Sequence, residues 1–178
     1  MRRSLPNTPD VDNLAVATVG QGKWMTLRAL DSLADPILAG AARAQIVPAV
    51  FEDRAPTTAE AELNRAPLSL GQLKAMAKPL YDILNTRSPQ WVRDELAHYG
   101  VPSYLASSGL NANWRYLANG YYPWNPTDTL TAMNEAPATL GQVKAVYALR
   151  FEGLSGLPPG PDADLDGLSD SLENYLGT

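Results

Sequence analysis

The sequence predicts a mainly α-helical protein with long irregular connections and a calcium-binding loop near its C-terminal end. Two observations lead to this fold class. One short motif occurs in three copies, and each copy contains the signature of a helix start. Near the C-terminal end, residues 162–173 match the spacing of a calcium loop. With 178 residues, of which 45% are hydrophobic, the chain is long enough to bury one core.

The repeated motif spans residues 13–25 (copy 1), 64–76 (copy 2) and 134–146 (copy 3). All copies share Asn-x-Ala, then Ser or Thr, an aliphatic residue, Gly-Gln, and a Lys two positions after the Gln. Ser69 precedes Gln72 by three residues, which is the spacing of a capping box at a helix N-terminus. The other copies contain the same pair, Thr18 with Gln21 and Thr139 with Gln142.

Apolar residues follow each cap at helical spacing, so each copy is predicted to open a helix with one buried face. These residues are Trp24, Leu27 and Leu30, then Leu73, Met76, Ala77 and Leu80, and finally Val143, Val146 and Tyr147. An alternative interpretation is that Gly71-Gln72-x-Lys74 binds an anion at the helix N-terminus. The scaffold interpretation is favoured because no phosphate-loop glycine pattern precedes the motif.

In the first third of the chain, irregular segments are predicted to interrupt the regular secondary structure. Residues 1–12 are rich in Pro and Asp and indicate an irregular arm. The copy 1 helix is expected over 19–33, followed by a break and a short helix over 36–43. Residues 45–51 are the most strand-like run, but Pro48 limits this run to an edge strand or an extended loop.

The middle of the chain carries further helix signals. A short helix is expected over 57–63, directly before copy 2. Pro79 lies inside the copy 2 helix, where it is predicted to kink or split the helix. Ser88 as a cap and Pro89 in the first turn predict another helix, which Gly100 ends.

The aromatic residues concentrate between residues 101 and 127. They are Tyr104, Trp114, Tyr116, Tyr121, Tyr122 and Trp124. The favoured interpretation is that these rings pack across the ends of the repeat helices. The alternative is a carbohydrate-binding module that uses the rings around residues 114–124 as a stacking face.

The last part of the chain is expected to hold calcium. The copy 3 helix is expected to reach about Phe151, so the helical repeat domain covers 13–152 and a Pro/Gly linker covers 153–161. The predicted calcium ligands are Asp162, Asp164, Asp166, the carbonyl of Leu168, Asp170 and Glu173. Because the linker cannot form an entering helix, we expect calcium to stiffen the segment 162–178 rather than to switch it.

This loop resembles thrombospondin type 3 repeats, which are Asp-rich calcium repeats of extracellular proteins. The Leu-Gly-Gln-Leu-Lys unit followed by residues 77–81 resembles a repeat region in predicted secreted proteins of Verrucomicrobia-like bacteria, where calcium repeats commonly follow. The resemblance covers most of residues 13–175, although Gly22 in copy 1 replaces an aliphatic residue. It implies an extracellular or bacterial cell-surface location, and a chain that can be a piece of a longer protein. It implies no activity.

Composition argues against several classes of function. A net charge of −5 disfavours nucleic acid or an anionic membrane as the main partner, and the chain contains no cysteine. The one histidine, His98, lies near the end of a predicted helix, where a helix-terminal interaction is favoured over catalysis. The acidic residues Asp53, Glu60, Glu62, Asp94 and Glu95 show no spacing that separates a catalytic pair from surface charges.

We therefore expect a non-enzymatic structural or interaction protein of the bacterial exterior, such as a component of a surface layer, stalk or filament. The expected cofactor is calcium. The expected partners are other copies of the chain or neighbouring domains of a longer chain, with surface glycans as a further class.

Overall fold

The fold is mainly α-helical, as the sequence predicts. The computed structural model describes residues 11–33, 58–107, 109–112, 115–117, 120–125 and 131–149. The predicted short helix over 36–43, the strand-like run over 45–51, the linker and the calcium loop lie outside the described residues.

Each motif copy is a short helix, a bridging segment and a longer helix. The helices are α1 (Val11–Leu14), α2 (Val19–Asp31), α3 (Thr58–Arg65), α4 (Leu70–Arg87), α5 (Pro89–Tyr99), α6 (Thr131–Asn134) and α7 (Leu140–Tyr147). A 3₁₀ turn covers Ser103–Leu105, and β1 (Arg115–Leu117) pairs antiparallel with β2 (Gly120–Tyr122). Copy 1 thus contributes α1 and α2, copy 2 contributes α3 and α4, and copy 3 contributes α6 and α7.

The capping boxes predicted for the three longer helices are confirmed. In copy 2 the Gln72 amide donates to Ser69 Oγ at 3.1 Å, and the Ser69 amide donates to Gln72 Oε1 at 2.9 Å. The same two bonds join Thr18 with Gln21 and Thr139 with Gln142. Each cap satisfies first-turn N–H groups that the helix itself leaves unpaired, which is worth about 1 kcal/mol per helix.

The three copies join in a closed ring of backbone hydrogen bonds. The residue before each cap donates to its equivalent in another copy: Ala17 to Ala138 at 2.9 Å, Ala138 to Leu68 at 2.8 Å, and Leu68 to Ala17 at 2.8 Å. The first residue of each capped helix donates in the opposite sense around the ring. These bonds run from Val19 to Ala66, from Leu70 to Ala136, and from Leu140 to Ala15. Equivalent atoms therefore make equivalent bonds, and the junction has pseudo-threefold symmetry.

The capped helices bury the faces that the sequence predicts for α4 and α7. Leu73, Leu80 and Val146 are fully buried. The prediction for α2 is only partly confirmed, because Leu30 is fully buried while Trp24 is 49% exposed. The Trp24 ring lies on the surface, with the Arg28 guanidinium 4.7 Å from its centre, so a favourable cation–π contact replaces burial.

Helix α4 continues through Pro79, so of the two predicted outcomes, a kink or a split, the split does not occur. Leu73 before the proline and Leu80 and Leu84 after it are fully buried in the same core. A buried leucine contributes about 1.5–3 kcal/mol. Packing on both sides of Pro79 therefore offsets the cost of a proline inside a helix, which is about 3 kcal/mol.

Several helix ends differ from the predictions by a few residues. Helix α1 begins at Val11, inside the predicted arm, and α7 ends at Tyr147, before Phe151. Helix α5 has Pro89 in its first turn and ends at Gly100, as predicted. The Ser88 hydroxyl makes no cap bond, because its ψ of 81° departs from the extended geometry of the three caps that do form.

Candidate functional site

The predicted calcium ligands at 162–173 all lie outside the described residues. Within the part of the chain that is described, no group of three or more His, Cys, Asp or Glu side chains could hold a metal ion. The donor set of the loop consists of carboxylates and one carbonyl, which are the oxygen ligands that calcium prefers. The calcium site therefore remains a prediction from the sequence.

The aromatic residues that follow β1 are part of the core. Tyr122 and Trp124 are each only 2% exposed. The Tyr81 ring of α4 packs edge-on against Trp124 with centroids 5.2 Å apart, and it lies 6.1 Å from Tyr122. The packing interpretation is confirmed for these residues, and neither Tyr122 nor Trp124 can stack on a sugar. Trp114 and the side chain of Tyr116 lie outside the described residues.

A polar contact at the edge of this cluster fixes the Tyr122 ring. Its hydroxyl donates to Asp82 Oδ1 at 2.6 Å, and the other carboxylate oxygen of Asp82 accepts from Lys78. Burial, followed by the hydrogen bond and the negative charge of Asp82, raises the pKa of Tyr122 above its usual value. The hydroxyl is therefore a donor at neutral pH, which suits a structural role.

Asn85 anchors the β1–β2 hairpin to α4, because its side-chain amide makes the pair of backbone hydrogen bonds that a neighbouring strand would make. Its Oδ1 accepts from the Tyr121 amide at 2.9 Å, and its Nδ2 donates to the Tyr121 carbonyl at 3.0 Å. Gly120 has a φ of +139°, and a Cβ there would lie 2.3 Å from Asn85 Cγ. The glycine is therefore required both by its backbone conformation and by the close approach of Asn85.

The motif glycine and asparagine fit together at the junction between copies. The motif glycine of each capped helix faces the motif Asn of the next copy. This Asn lies at or near the end of that copy's short helix. An added Cβ would lie 2.9 Å from Asn134 Cβ at Gly71, 2.9 Å from Asn13 Cβ at Gly141, and 3.2 Å from Asn64 Cβ at Gly20. Glycine recurs in the motif because a neighbouring copy approaches the helix N-terminus closely.

The motif lysine bonds to the same asparagine and forms what we call a Lys–Asn clasp. Lys74 Nζ donates to Asn134 Oδ1 at 2.8 Å, and Lys144 Nζ donates to Asn13 Oδ1 at 3.1 Å. The equivalent pair at the copy 1–copy 2 junction would be Lys23 and Asn64. Among the described residues no clasp forms there, and Asn64 Oδ1 is buried without a hydrogen-bond partner.

Gly22, which departs from the motif, is explained by the residue that it faces. A Cβ at Gly22 would lie 2.8 Å from Leu68 Cδ2, so the Leu68 side chain fills the space that an aliphatic residue would occupy. Copies 1 and 3 have Ala17 and Ala138 where copy 2 has Leu68. By the pseudo-threefold symmetry, the larger side chains of copies 2 and 3 face these alanines. Small and large residues thus alternate around the ring and keep its packing volume.

Buried hydroxyl groups link the capped helices deeper in the core. Tyr81 of α4 donates to the Val146 carbonyl of α7 at 2.8 Å. Tyr147 of α7 lies 2.6 Å from Thr26 Oγ1 of α2, and Thr26 donates to the Gly22 carbonyl. Thr26 has one proton, so Tyr147 is the donor. Burial raises the pKa of both tyrosines.

The anion-binding interpretation of the motif finds no support at the copy 2–copy 3 junction. A groove of about 420 Å³ lies there, lined by Ser69, Gly71, Gln72, Asn134 and Glu135. The side chains of Gln72 and Asn134 already have partners within the protein, since Gln72 completes the cap and Asn134 completes a clasp. The motif residues therefore hold the copies together.

The acidic residues considered as catalytic candidates do not form a pair within the described residues. Asp94 is exposed, and hydrogen bonds from Arg93 and then Gln90 lower its pKa. Glu62 is also exposed, whereas Glu95 is only 4% exposed. Asp53 and the side chain of Glu60 lie outside the described residues. His98 occupies the last turn of α5, as expected.

Comparison with known protein families, with curated proteins and with solved structures found no match. Among the described helices, none combines the length and the apolar character that a membrane span requires.

Proposed function

We propose that this protein is a non-enzymatic structural or interaction protein of the bacterial exterior, a component of a surface layer, stalk or filament, with a calcium-stabilised loop at 162–173. The observation that carries the proposal is the use of the repeated motif. Its Ser or Thr, Gly, Gln and Asn residues, together with the Lys residues of copies 2 and 3, are engaged in caps and in contacts between copies. The most strongly repeated residues of the chain therefore build a scaffold.

The calcium loop supports an extracellular setting for this scaffold. Extracellular calcium modules bind at roughly 10⁻⁴–10⁻³ M, so they are filled outside cells and empty inside. The partners that fit this function are other copies of the chain or neighbouring domains of a longer chain. A head-to-tail contact between copies that does not close on itself would generate a filament.

Sedimentation velocity in millimolar calcium and again in excess EDTA tests this proposal. We expect large species with calcium, reversal by EDTA, and loss of assembly in the Asp164→Ala variant, because the loop loses a carboxylate ligand. Glu62→Ala is the matched control, since it removes an exposed carboxylate of α3 that is not one of the predicted calcium ligands. A monomer in both conditions would contradict calcium-dependent assembly.

A further inference from the structure

The backbone bonds of the ring are satisfied within the chain, whereas the side of the ring that faces away from the core is largely exposed. The bridging segments are extended at each cap, so successive side chains point to opposite sides. Ala17, Leu68 and Ala138 point into the core, where they are fully buried. Their neighbours therefore point away from the core and form what we call the outer face: Val16, Thr18, Pro67, Ser69, Pro137 and Thr139.

Exposed apolar side chains concentrate around this outer face. Val16 is 50% exposed, and Pro67 and Pro137 are exposed at the equivalent positions of the other copies. Of the six large hydrophobic side chains that are exposed among the described residues, all except Trp24 belong to the short helices and bridging segments: Val11, Leu14, Val16, Leu63 and Met133. Apolar groups that gather in one part of a surface are typical of an interaction site.

The residue after the motif Asn is exposed in every copy but differs in charge. It is Leu14 in copy 1, Arg65 in copy 2 and Glu135 in copy 3. Glu135 lines the same groove as Ser69, which places it beside the outer face, and the pseudo-threefold symmetry gives Leu14 and Arg65 equivalent positions. Within the described part of the chain, neither Arg65 nor Glu135 forms an ion pair. The two opposite charges are therefore available to a partner.

This arrangement of charges is complementary to itself. Two outer faces that meet symmetrically are related by a twofold axis that lies across the pseudo-threefold axis. An axis through copy 1 places Arg65 of each molecule against Glu135 of the other, and places the two Leu14 side chains together. An axis through copy 2 would instead bring two Arg65 side chains together, and an axis through copy 3 would bring two Glu135 side chains together. Opposite charges therefore select the axis through copy 1.

The residues before the motif Asn agree with this alignment. They are Asp12, Leu63 and Met133. The axis through copy 1 brings Leu63 of one molecule towards Met133 of the other, so that two exposed apolar side chains approach each other. Asp12 approaches its own equivalent, but it already interacts within its own chain. The outer face thus offers a second copy both apolar contacts and two ion pairs.

We propose that two copies of this chain dock through their outer faces, with Arg65 of each copy paired to Glu135 of the other. The inference rests on the proposed function, because it names one surface and one partner through which the scaffold assembles. A contact of this kind is isologous and closes after two copies. A filament of the kind proposed above would then be built from dimers.

Charge reversal tests the pairing by sedimentation velocity in EDTA, so that the predicted calcium loop makes no contribution. We expect the unmodified chain to form dimers as its concentration rises. Arg65→Glu and Glu135→Arg should each raise the dissociation constant of the dimer about a hundredfold, because each variant places like charges together at both contacts. The double variant Arg65→Glu/Glu135→Arg should restore the dimer, because opposite charges meet again.

A mixture of the two single variants gives an independent measurement, in case the double variant does not fold. Equal amounts should form a heterodimer, since the arginines of one variant meet the glutamates of the other. Asp94→Arg is the matched control, because it reverses an exposed charge on α5 and should leave the dimer unchanged. A monomeric unmodified chain at every concentration, unchanged dimers in the single variants, or a mixture that stays monomeric would overturn the inference.

Failure of the inference is distinct from failure of the proposed function. Large species that form with calcium and are unaffected by charge reversal would remove this interface and leave the function. Dimers that follow the charge pattern, without any effect of calcium on the size of the species, would support the interface and contradict calcium-dependent assembly.

Discussion

The copy 2–copy 3 junction and the copy 1–copy 2 junction have the same backbone bonds but different side chains. The first contains a clasp between Lys74 and Asn134, and the second has a buried Asn64 Oδ1 without a partner among the described residues. Backbone pairing therefore sets the symmetry of the ring, and side chains set the stability of each junction. An unpaired buried acceptor costs about 1–3 kcal/mol, so the two junctions should differ measurably.

The largest effects are expected from Leu68→Ala and Gly22→Leu at the copy 1–copy 2 junction. The new side chain meets Leu68, and overpacking of this kind costs about 1–3 kcal/mol or more. Leu68→Ala alone should cost about 2–5 kcal/mol, because a fully buried leucine is lost. The double variant should be more stable than the sum of the single effects predicts, since it recreates the large-with-small pairing. Urea unfolding of all three variants measures this coupling. Strictly additive changes in the free energy of unfolding would contradict the pairing of a large with a small side chain at positions 22 and 68.

The two asparagines sharpen the comparison between junctions. Asn134→Ala removes the acceptor of a part-buried lysine and should lower the free energy of unfolding by about 1.5–3 kcal/mol. Asn64→Ala removes a buried acceptor that has no partner among the described residues, so it should leave the free energy of unfolding unchanged or raise it. Thermal unfolding of both variants side by side is the measurement. Equal losses would mean that a clasp also forms between Lys23 and Asn64.

The motif glycines should respond unequally to alanine. At Gly141 an added Cβ would lie 2.7 Å from Leu105 Cδ1 and 2.8 Å from the Asn13 carbonyl oxygen, so a loss of about 1–3 kcal/mol is expected. At Gly20 the nearest atom would be 3.0 Å away, and the higher helix propensity of alanine, about 1 kcal/mol, opposes the strain. Gly20→Ala should therefore be the milder change in chemical denaturation. A larger loss at Gly20 than at Gly141 would contradict the geometry of the junctions.

Alkaline pH should weaken the links that buried tyrosines make between the capped helices. Burial raises the pKa of Tyr81 and Tyr147, so both stay protonated in the folded protein at a pH where the unfolded chain ionises. Their contribution is complete below the unfolded pKa of about 10 and is lost as pH rises above it, by up to about 1.4 kcal/mol per pH unit for each tyrosine. Urea unfolding between pH 8 and 11 measures the loss. In Tyr147→Phe the free energy of unfolding should decrease less steeply with pH than in the unmodified protein. An unchanged dependence on pH would show that Tyr147 ionises freely in the folded protein.

The sequence predicts the local parts of this fold well. Caps and apolar faces depend on residues three or four apart, so the motif reveals α4 and α7 directly. The ring is not visible in the sequence, because its bonds join backbone groups of distant segments and leave no periodic pattern. The recurrence of Asn and Lys at the same offsets in all three copies was the available signal. It would have indicated a contact between copies.

The differences between prediction and structure also arise from contacts between segments that are distant in the sequence or from partners on the surface. The split at Pro79 did not occur because tertiary packing outweighs the local cost of a proline. Trp24 follows the helical spacing, but Arg28 offers it a partner on the surface. The spacing of Glu95 does not distinguish it from a surface charge, so its burial could not be predicted from the sequence. The calcium ligands lie outside the described residues, so their assignment depends on spacing alone.

Hydrogen exchange at three backbone amides, those of Ala17, Leu68 and Ala138, tests the ring most directly. Local detachment of residues 11–33, which contain copy 1, breaks the bonds that Ala17 and Leu68 donate but keeps the bond from Ala138 to the Leu68 carbonyl. We therefore expect Ala17 and Leu68 to exchange at matching rates and Ala138 to exchange more slowly. Faster exchange at Ala138, or unmatched rates at Ala17 and Leu68, would contradict a ring in which copies 2 and 3 form the stable part.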